Sequence, residues 1–199
     1  MVDIFFMKMS ASLQNRHSSS NKLHLIPFTE QHFSILMGWF FSEKDIVQWG
    51  GPDLSYPLDD AQVNLMLIKT NATPPDYFCW MVEDDAGELC GHCQLVCDWR
   101  NGIAKICRVV ISPQHRGRGF SLPMVSMVLE KAFSYAEIER VELNVYAWND
   151  IAIKTYSRIG FIGEGVRRSS MKVGDERWDT AIMSMLRDEW VAPSVSAIK

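Results

Sequence analysis

Gln114-His115-Arg116-Gly117-Arg118-Gly119-Phe120 stands between a β-branched run, Ile106 to Ile111, and a helical pattern, Leu122 to Phe133. A strand that turns through two glycines onto a helix N-terminus makes a cradle for phosphate. Glycine lets the backbone approach a ligand closely, and the first N–H groups of the helix have no internal partner. Those donors and the helix dipole attract an anion, and Arg116 and Arg118 add mobile positive charge beside it. Two nucleotide loops are excluded. The loop of nucleotide hydrolases needs a Gly-Lys-Ser/Thr end to hold magnesium, and none is present. The dinucleotide fingerprint wants a third glycine where Phe120-Ser121-Leu122 stands.

The elements around the loop give the fold class. His24 to Phe28 reads as a first strand, and Thr29 caps a helix that places Phe33, Leu36, Met37 and Phe40 on one face. A short helix around Asp45 to Trp49 ends at Gly50-Gly51-Pro52. Asp59 and Gln62 form a capping-box pattern with Leu58 and Val63 as its staple. Tyr77 to Glu83 and Leu89 to Asp98 are strands around the turn Asp84 to Gly87, and Ile103 to Ile111 is the next. A long helix from about Phe120 to Ala136 tolerates Pro123 in its first turn. Val141 to Ala147 is a strand, Asn149 to Ile159 a helix, and a hairpin turning at Val173 to Glu176 closes the chain. The class is α+β: a mixed, twisted sheet of about six to seven strands with helices on both faces. Its parallel step joins Ile103–Ile111 to Val141–Ala147, crossed by the long helix.

Composition narrows the function. The 199 residues fit one domain, and 47% hydrophobic content with 22% charged residues provides a core. The divisions expected are a disordered, serine-rich leader over residues 1–21, one domain over 22–191 and a flexible tail over 192–199. A net charge of −4 opposes general nucleic-acid binding. No stretch reaches the ~20 apolar residues of a membrane span, and Met1 to Met9 lacks the flanks of a signal peptide. A cytoplasmic chain is expected. Its odd set of cysteines, Cys79, Cys90, Cys93, Cys97 and Cys107, suits reduced thiols. Cys90-Gly91-His92-Cys93 has dithiol spacing, but it runs on into a strand rather than opening a helix, against a redox role. Zinc is opposed by the lack of a second ligand pair, and no metal is expected.

The second motif is Asn149-Asp150-Ile151-Ala152-Ile153-Lys154-Thr155-Tyr156-Ser157-Arg158-Ile159-Gly160-Phe161. Gln114-x-x-Gly117-x-Gly119 resembles the pyrophosphate loop of acyl-CoA-dependent N-acetyltransferases. Asn149, Ala152, Tyr156 and Gly160-Phe161 match the second signature of the GNAT superfamily. The resemblance runs from about Lys22 to Trp190. Trp39, Trp49-Gly50-Gly51 and Arg177-Trp178-Asp179 resemble the branch of ribosomal-protein-alanine acetyltransferases (RimJ/RimL type).

The resemblance implies transfer of an acetyl group from acetyl-CoA to a primary amine, on a small molecule or a peptide N-terminus, by direct attack in a ternary complex. A non-catalytic acyl-CoA-binding module is the alternative. The cofactor would lie in a V-shaped splay between the two parallel strands. Val109, Val110 and Ile111 would pair with its pantetheine arm, while Gln114, His115, Arg116, Gly117, Arg118, Gly119, Phe120 and Ser121 would surround its pyrophosphate. Asn149 and Ala152 would flank the pantetheine, and Tyr156 would protonate the departing thiolate. The partners implied are acetyl-CoA and an amine, in a monomer or homodimer, without nucleic acid or membrane.

The general base departs from the pattern. Relatives acting on protein N-termini often have glutamate where Asn144 stands, and asparagine cannot usefully accept a proton. Glu142, two residues earlier, shares its sheet face and is the substitute; Lys105 and Arg108 are its candidate partners. Trp80, Trp99, Trp148 and Trp178 are candidates for an acceptor pocket, and His92 and His115 weaker candidates for a base.

Overall fold

A computed structural model describes residues 22–68, 70 and 73–191; the leader and tail expectations lie outside the described residues. Strand β4 (Ile103–Ile111) and strand β5 (Arg140–Tyr146) run parallel, as the crossover requires. They pair from Ile103↔Arg140 only to Ile106↔Leu143 and then part, leaving a splay between Cys107–Ile111 and Asn144–Tyr146. On the other side β4 pairs antiparallel with β3 (Leu89–Asp98), which pairs with β2 (Tyr77–Asp84) and that with β1 (Leu23–Pro27). Beyond β5 lie β7 (Glu176–Leu186) and the edge strand β6 (Ile162–Val173), giving the order β1-β2-β3-β4-β5-β7-β6.

Alternation along the strands assigns the two faces. Val141, Leu143 and Val145 of β5 point to the same core as Met124, Val125, Val128, Leu129 and Ala132 of α4 (Ser121–Phe133). Tyr156 of α5 (Asp150–Ile159) joins that core. The opposite face of β2 contributes Cys79 and Met81 to a second core under α1 (Phe33–Met37), α2 (Glu43–Gly50) and α3 (Asp60–Ile68). Helices therefore cover both faces. Three local details differ from the sequence reading. The segment after Thr29 begins as a 3-10 turn, and α1 stops at Gly38, because the adjacent Trp39 and Phe40 both bury against the second core. Asp59 accepts from the Gln62 N–H at 2.9 Å, but the Gln62 side chain accepts from the Ser55 N–H instead of completing the box. α4 ends at Phe133, short of Ala136.

The splay has a cause in β4. Gln94 pairs with Cys107 but His92 with Val110, so Arg108 and Val109 oppose a single residue of β3. This is a bulge, which bends and twists its strand, and it puts Arg108 at φ +50, unusual for a residue with a Cβ. Trp49 Nε1 donates to the Arg108 carbonyl at 2.7 Å, and His92 Nδ1 lies 3.1 Å from it. Burial pushes His92 down to about 3, so its ring is neutral. A carbonyl only accepts, which fixes the proton on Nδ1 and leaves Nε2 as acceptor. The Cys79 thiol, 3.3 Å away, therefore donates to Nε2. Gln94 Nε2 donates to Cys79 Sγ at 3.2 Å, and Arg108 Nη1 donates to Gln94 Oε1 at 2.9 Å. The hydrogen bonds close a ring that leaves the Arg108 side chain and returns to the Arg108 carbonyl.

Replacing His92 by phenylalanine keeps the ring's shape and deletes two of these bonds. It should lower stability by about 2–3 kcal/mol, or roughly 5–10 °C in Tm. The native protein gains from a neutral His92 fully above the unfolded pKa of 6.5 and loses that gain as pH falls toward 3. Each pH unit in that window should cost about 1.4 kcal/mol. The difference in stability between native and His92→Phe proteins should therefore shrink between pH 7 and pH 5, measured by urea unfolding. A constant difference would mean that His92 is not buried neutral.

Candidate functional site

The site begins where β4 ends. The Ser112 N–H donates to the Cys90 carbonyl at 2.9 Å, and Ser112 Oγ lies 2.7 Å from His115 Nδ1. His115 stacks on Phe120 at 5.9 Å between ring centroids, and Phe120 is buried as the residue that caps α4. His115 and Phe120 thus brace the loop from within, while Gln114, Arg116, Gly117, Arg118 and Gly119 stay exposed. Gly117 and Gly119 lie at φ +77 and +79, and a Cβ at either would meet nothing within 4 Å. The requirement for glycine is conformational, and the space in front of the loop is open. The first helical bond of α4 runs from the Met124 N–H to the Phe120 carbonyl at 3.1 Å. The N–H groups of Phe120, Ser121 and Leu122 precede it and have no helical acceptor, and Pro123 carries none.

α5 supplies the facing wall. Asn149 caps it, its Oδ1 accepting from the Ala152 N–H at 3.2 Å, which leaves the side-chain NH₂ for another partner. Ala152 packs half-buried against the first core. Tyr156, one turn further along the same helical face, is buried with Phe161 edge-on at 5.9 Å, and burial pushes its hydroxyl up to about 12. Loop, splay and Tyr156 therefore converge around the parted ends of β4 and β5. Val109, Val110 and Ile111 line the β4 side, past its last pair with β5.

The other sheet face is polar across β5. Glu142 and Asn144 share it, as the strand period requires. Glu142 sits opposite Lys105, one pair from the splay, with Lys105 Nζ at 3.9 Å and Arg140 Nη2 at 3.5 Å. Arg108, the other expected partner, turns to Gln94 instead. With its amide turned as the neighbouring donors require, Asn144 Oδ1 accepts from Lys105 Nζ and Arg167 Nη2 at 3.1 Å each. Of the tryptophans, Trp148 and Trp178 meet edge-to-face at 5.1 Å beside Tyr146, at the open end of β5, and Trp148 is half exposed. Trp80 stacks on Phe78, and Trp99 packs edge-on against Tyr135; both flank the first core.

Neither base candidate among the histidines faces the cleft as a free base: His92 belongs to the bulge ring and His115 to the loop brace. Cys90 and Cys93 are buried in a strand, with burial pushing Cys90 up to about 11 and Cys93 well above the usual thiol range. That is the reverse of a reactive dithiol. Among the described residues no group of three or more His, Cys, Asp or Glu is placed to hold a metal ion, and no helix is long and apolar enough to cross a membrane. Sequence reasoning missed the Arg108 bulge and Arg167. A signal for the bulge existed: His92 and Gln94 alternate as polar residues within an otherwise apolar strand.

Comparison with known proteins follows this geometry. A model of the acetyltransferase (GNAT) family matches residues 40–161, more than half of the chain. An uncharacterized, SPbeta prophage-derived N-acetyltransferase of Bacillus subtilis is 31% identical over 94 residues, 47% of this chain and 52% of its own length. A spermidine N(1)-acetyltransferase of Vibrio cholerae is 24% identical over 113 residues, covering 56% of this chain and 65% of that protein. The alignments thus span between about half and two-thirds of these curated relatives. The solved structure of a Vibrio cholerae spermidine N-acetyltransferase in complex with CoA and spermine superposes with a TM-score of 0.73 at 19% identity, over 84% of this chain and 96% of that one. A dodecameric structure of spermidine N-acetyltransferase from the same organism gives 0.68 at 20% identity, over 83% and 94%.

If the loop must hold its two left-handed residues to receive a pyrophosphate, Gly119→Val should bind CoA at least about tenfold more weakly, from the cost of forcing a β-branched residue to positive φ. Calorimetric titration with CoA reads this directly. Because the new side chain meets open space, the Tm should move by no more than a few degrees. Unchanged CoA affinity would remove the loop from the ligand.

Proposed function

The chain belongs to the acetyltransferase (GNAT) family, and we propose that it transfers an acetyl group from acetyl-CoA to a primary amine on a small molecule or a peptide terminus. The observation that carries this reading is the splay itself: two parallel strands that part beside a glycine loop at φ +77 and +79. The residues fit the cosubstrate. Backbone along Val109 to Ile111 is no longer paired with β5, and on that side it offers a ladder edge to an amide-containing arm. The loop and the start of α4 offer N–H donors to a pyrophosphate, with Arg116 and Arg118 as charge. Bound there, acetyl-CoA supplies an activated thioester carbonyl. The tryptophan-glycine segment at Trp49 and the Arg177–Asp179 hairpin support placing the chain in the RimJ/RimL branch. The five free cysteines, four of them buried, accord with a cytoplasmic protein.

Direct attack needs three services from the chain: a neutral amine, a polarised carbonyl and a proton for the departing sulfur. Tyr156 serves the departing sulfur with a hydrogen bond, and the thiolate takes its proton from solvent on release. A hydroxyl pushed up to about 12 cannot hand its proton outright to a thiolate whose acid form has pKa about 8.5, because the step is uphill by roughly 5 kcal/mol. It can donate a strong hydrogen bond to that thiolate while keeping the proton. The amine leaves its proton on the open sheet face, where Glu142 is the carboxylate one pair from the splay. Lys105 Nζ and Arg140 Nη2 lie 3.9 and 3.5 Å from its carboxylate.

Tyr156→Phe should reduce kcat by about 10²–10³-fold and leave acetyl-CoA affinity within about twofold, measured by thiol release and by titration. An unchanged kcat would return Tyr156 to packing. Glu142→Gln should depress kcat/KM for the amine at neutral pH, and the deficit should close as pH approaches the amine's own pKa. A loss that is uniform with pH would assign Glu142 to amine binding.

A further inference from the structure

Three cations on the open sheet face rest on amide oxygens. Arg108 Nη1 donates to Gln94 Oε1 at 2.9 Å, and Lys105 Nζ and Arg167 Nη2 converge on Asn144 Oδ1 at 3.1 Å each. An amide oxygen orients a cation without cancelling its charge. The carboxylates of the same face are already engaged: Glu164 forms a two-pronged pair with Arg140 at 2.7 and 2.5 Å, and Glu142 lies between Arg140 and Lys105. Lys105 is thus shared with one distant carboxylate oxygen, and Arg167 meets none among the described residues. Register puts these groups in one row: Arg167 opposite Thr180, Thr180 opposite Tyr146, Asn144 two residues before Tyr146, and Lys105 one pair before the splay. The surplus positive charge therefore stands at the crotch of the V, on the face opposite α4 and α5.

This charge is not part of the phosphate loop. Lys105 and Gln114 are nine residues apart in sequence, and the strand alone separates Lys105 from Ile111 by about 20 Å at ~3.3 Å per residue. Arg167 comes from a different hairpin altogether. Both Asn144 and Arg167 are exposed, so the pair is open to a ligand rather than buried as packing.

We infer that Lys105 and Arg167, brought together and aimed by Asn144, bind an anionic group of the amine acceptor, so that the acceptor carries a carboxylate or phosphate a few bonds from its amine and is not a simple polyamine. The inference rests on the reading of the chain as an amine acetyltransferase and specifies its substrate class. Two charged hydrogen-bond donors meeting one oxyanion make a strong contact, whereas a polycation at this point would face like charge. Glu142, the neighbour of Lys105 across the strand pair, is then placed beside the acceptor's ammonium. The row offers negative and positive groups in the order that a compound with both charges would match.

The test uses matched amines: glycylglycine, glycylglycinamide, O-phosphoethanolamine and spermidine. Thiol release from acetyl-CoA should give glycylglycine or O-phosphoethanolamine a kcat/KM roughly ten- to a hundredfold above glycylglycinamide and spermidine. Which of the two leads separates a carboxylate from a phosphate. Arg167→Gln should remove that preference through KM while leaving CoA affinity unchanged, and Asn144→Asp should shift preference toward spermidine. Calorimetric binding of the same four compounds to the CoA-loaded protein gives a readout independent of turnover. Selective binding without turnover would keep the anion site and sink the transfer reading. Turnover with equal kcat/KM for charged and amide forms, insensitive to Arg167→Gln, would overturn the anion site and keep the transfer reading.

Discussion

The Arg108 carbonyl is the point on which the rest of the structure depends. A residue with a Cβ at φ +50 costs on the order of 1–3 kcal/mol, so the conformation persists only if its surroundings insist on it. Trp49 donates to that carbonyl from α2 and His92 from β3, and the ring through Cys79 and Gln94 returns to the Arg108 guanidinium. Net gains of about 1 kcal/mol per buried bond are of the size needed to offset the strain. Each element of the ring comes from a different place in the chain, so the bulge forms only when α2, β2, β3 and β4 have assembled. Its consequence is geometric: β4 turns away from β5 just after the Ile106↔Leu143 pair, and the sheet acquires a cleft without losing an element.

A cleft made this way has two unlike walls and two unlike faces. Along β4 the recognition groups are backbone, and the loop after it adds N–H donors at the start of α4. Backbone donors cannot be changed by substitution unless the conformation itself changes, so under the proposed function the glycines at φ +77 and +79 would matter more than the charges of Arg116 and Arg118. Across β4, β5 and β6 on the other face the groups are long side chains: Lys105, Arg140, Glu142, Asn144, Glu164 and Arg167. Under the proposed function, the two halves of the transfer would meet at the splay with different chemistry on each side. Tyr156 lies under the first of these halves, buried in the apolar core, and its raised pKa follows from that position.

The division explains what could be read from the sequence. Seven strands, the crossover between β4 and β5, and the glycine turn between β4 and α4 were all legible, because strand alternation, glycine pairs and helix periodicity are local signals. β4 itself was bounded correctly at both ends, Ile103 and Ile111. The bulge was signalled only indirectly, by the polar His92 and Gln94 on β3, and its position at Arg108 was not legible. Nothing adjacent to Arg108 in sequence demands positive φ; the demand comes from Trp49 and His92, which are 59 and 16 residues away. The helix after Thr29 was read as continuous through Phe40, since periodicity alone cannot tell that Trp39 and Phe40 will both turn inward. The four tryptophans looked equivalent as text, and only register separates Trp148 and Trp178, at the open end of β5, from Trp80 and Trp99 beneath the first core. Arg167 was invisible for a related reason: its partner Asn144 lies across β7 on another strand.

The same division bears on how a family resemblance should be used. The loop, the cap Asn149 and the buried Tyr156 are positioned by the core and by backbone geometry. Residues of the polar face are not so tied. Asn144 and Arg167 are exposed, and Lys105, Glu142 and Glu164 have side chains between about a quarter and two-fifths accessible. Substitutions at such positions usually change stability by less than about 0.5 kcal/mol. Their charges can therefore be rearranged without cost to the fold, and the acceptor preference of a relative need not pass to this chain with its cofactor site. Where Asn144 stands, a glutamate would pair with both Lys105 and Arg167 and consume the positive charge of the row. The neutral amide leaves that charge in place at the mouth of the splay. The choice of one side chain that points away from the core thus sets the electrostatic sign of that face, while the strand that carries it stays the same.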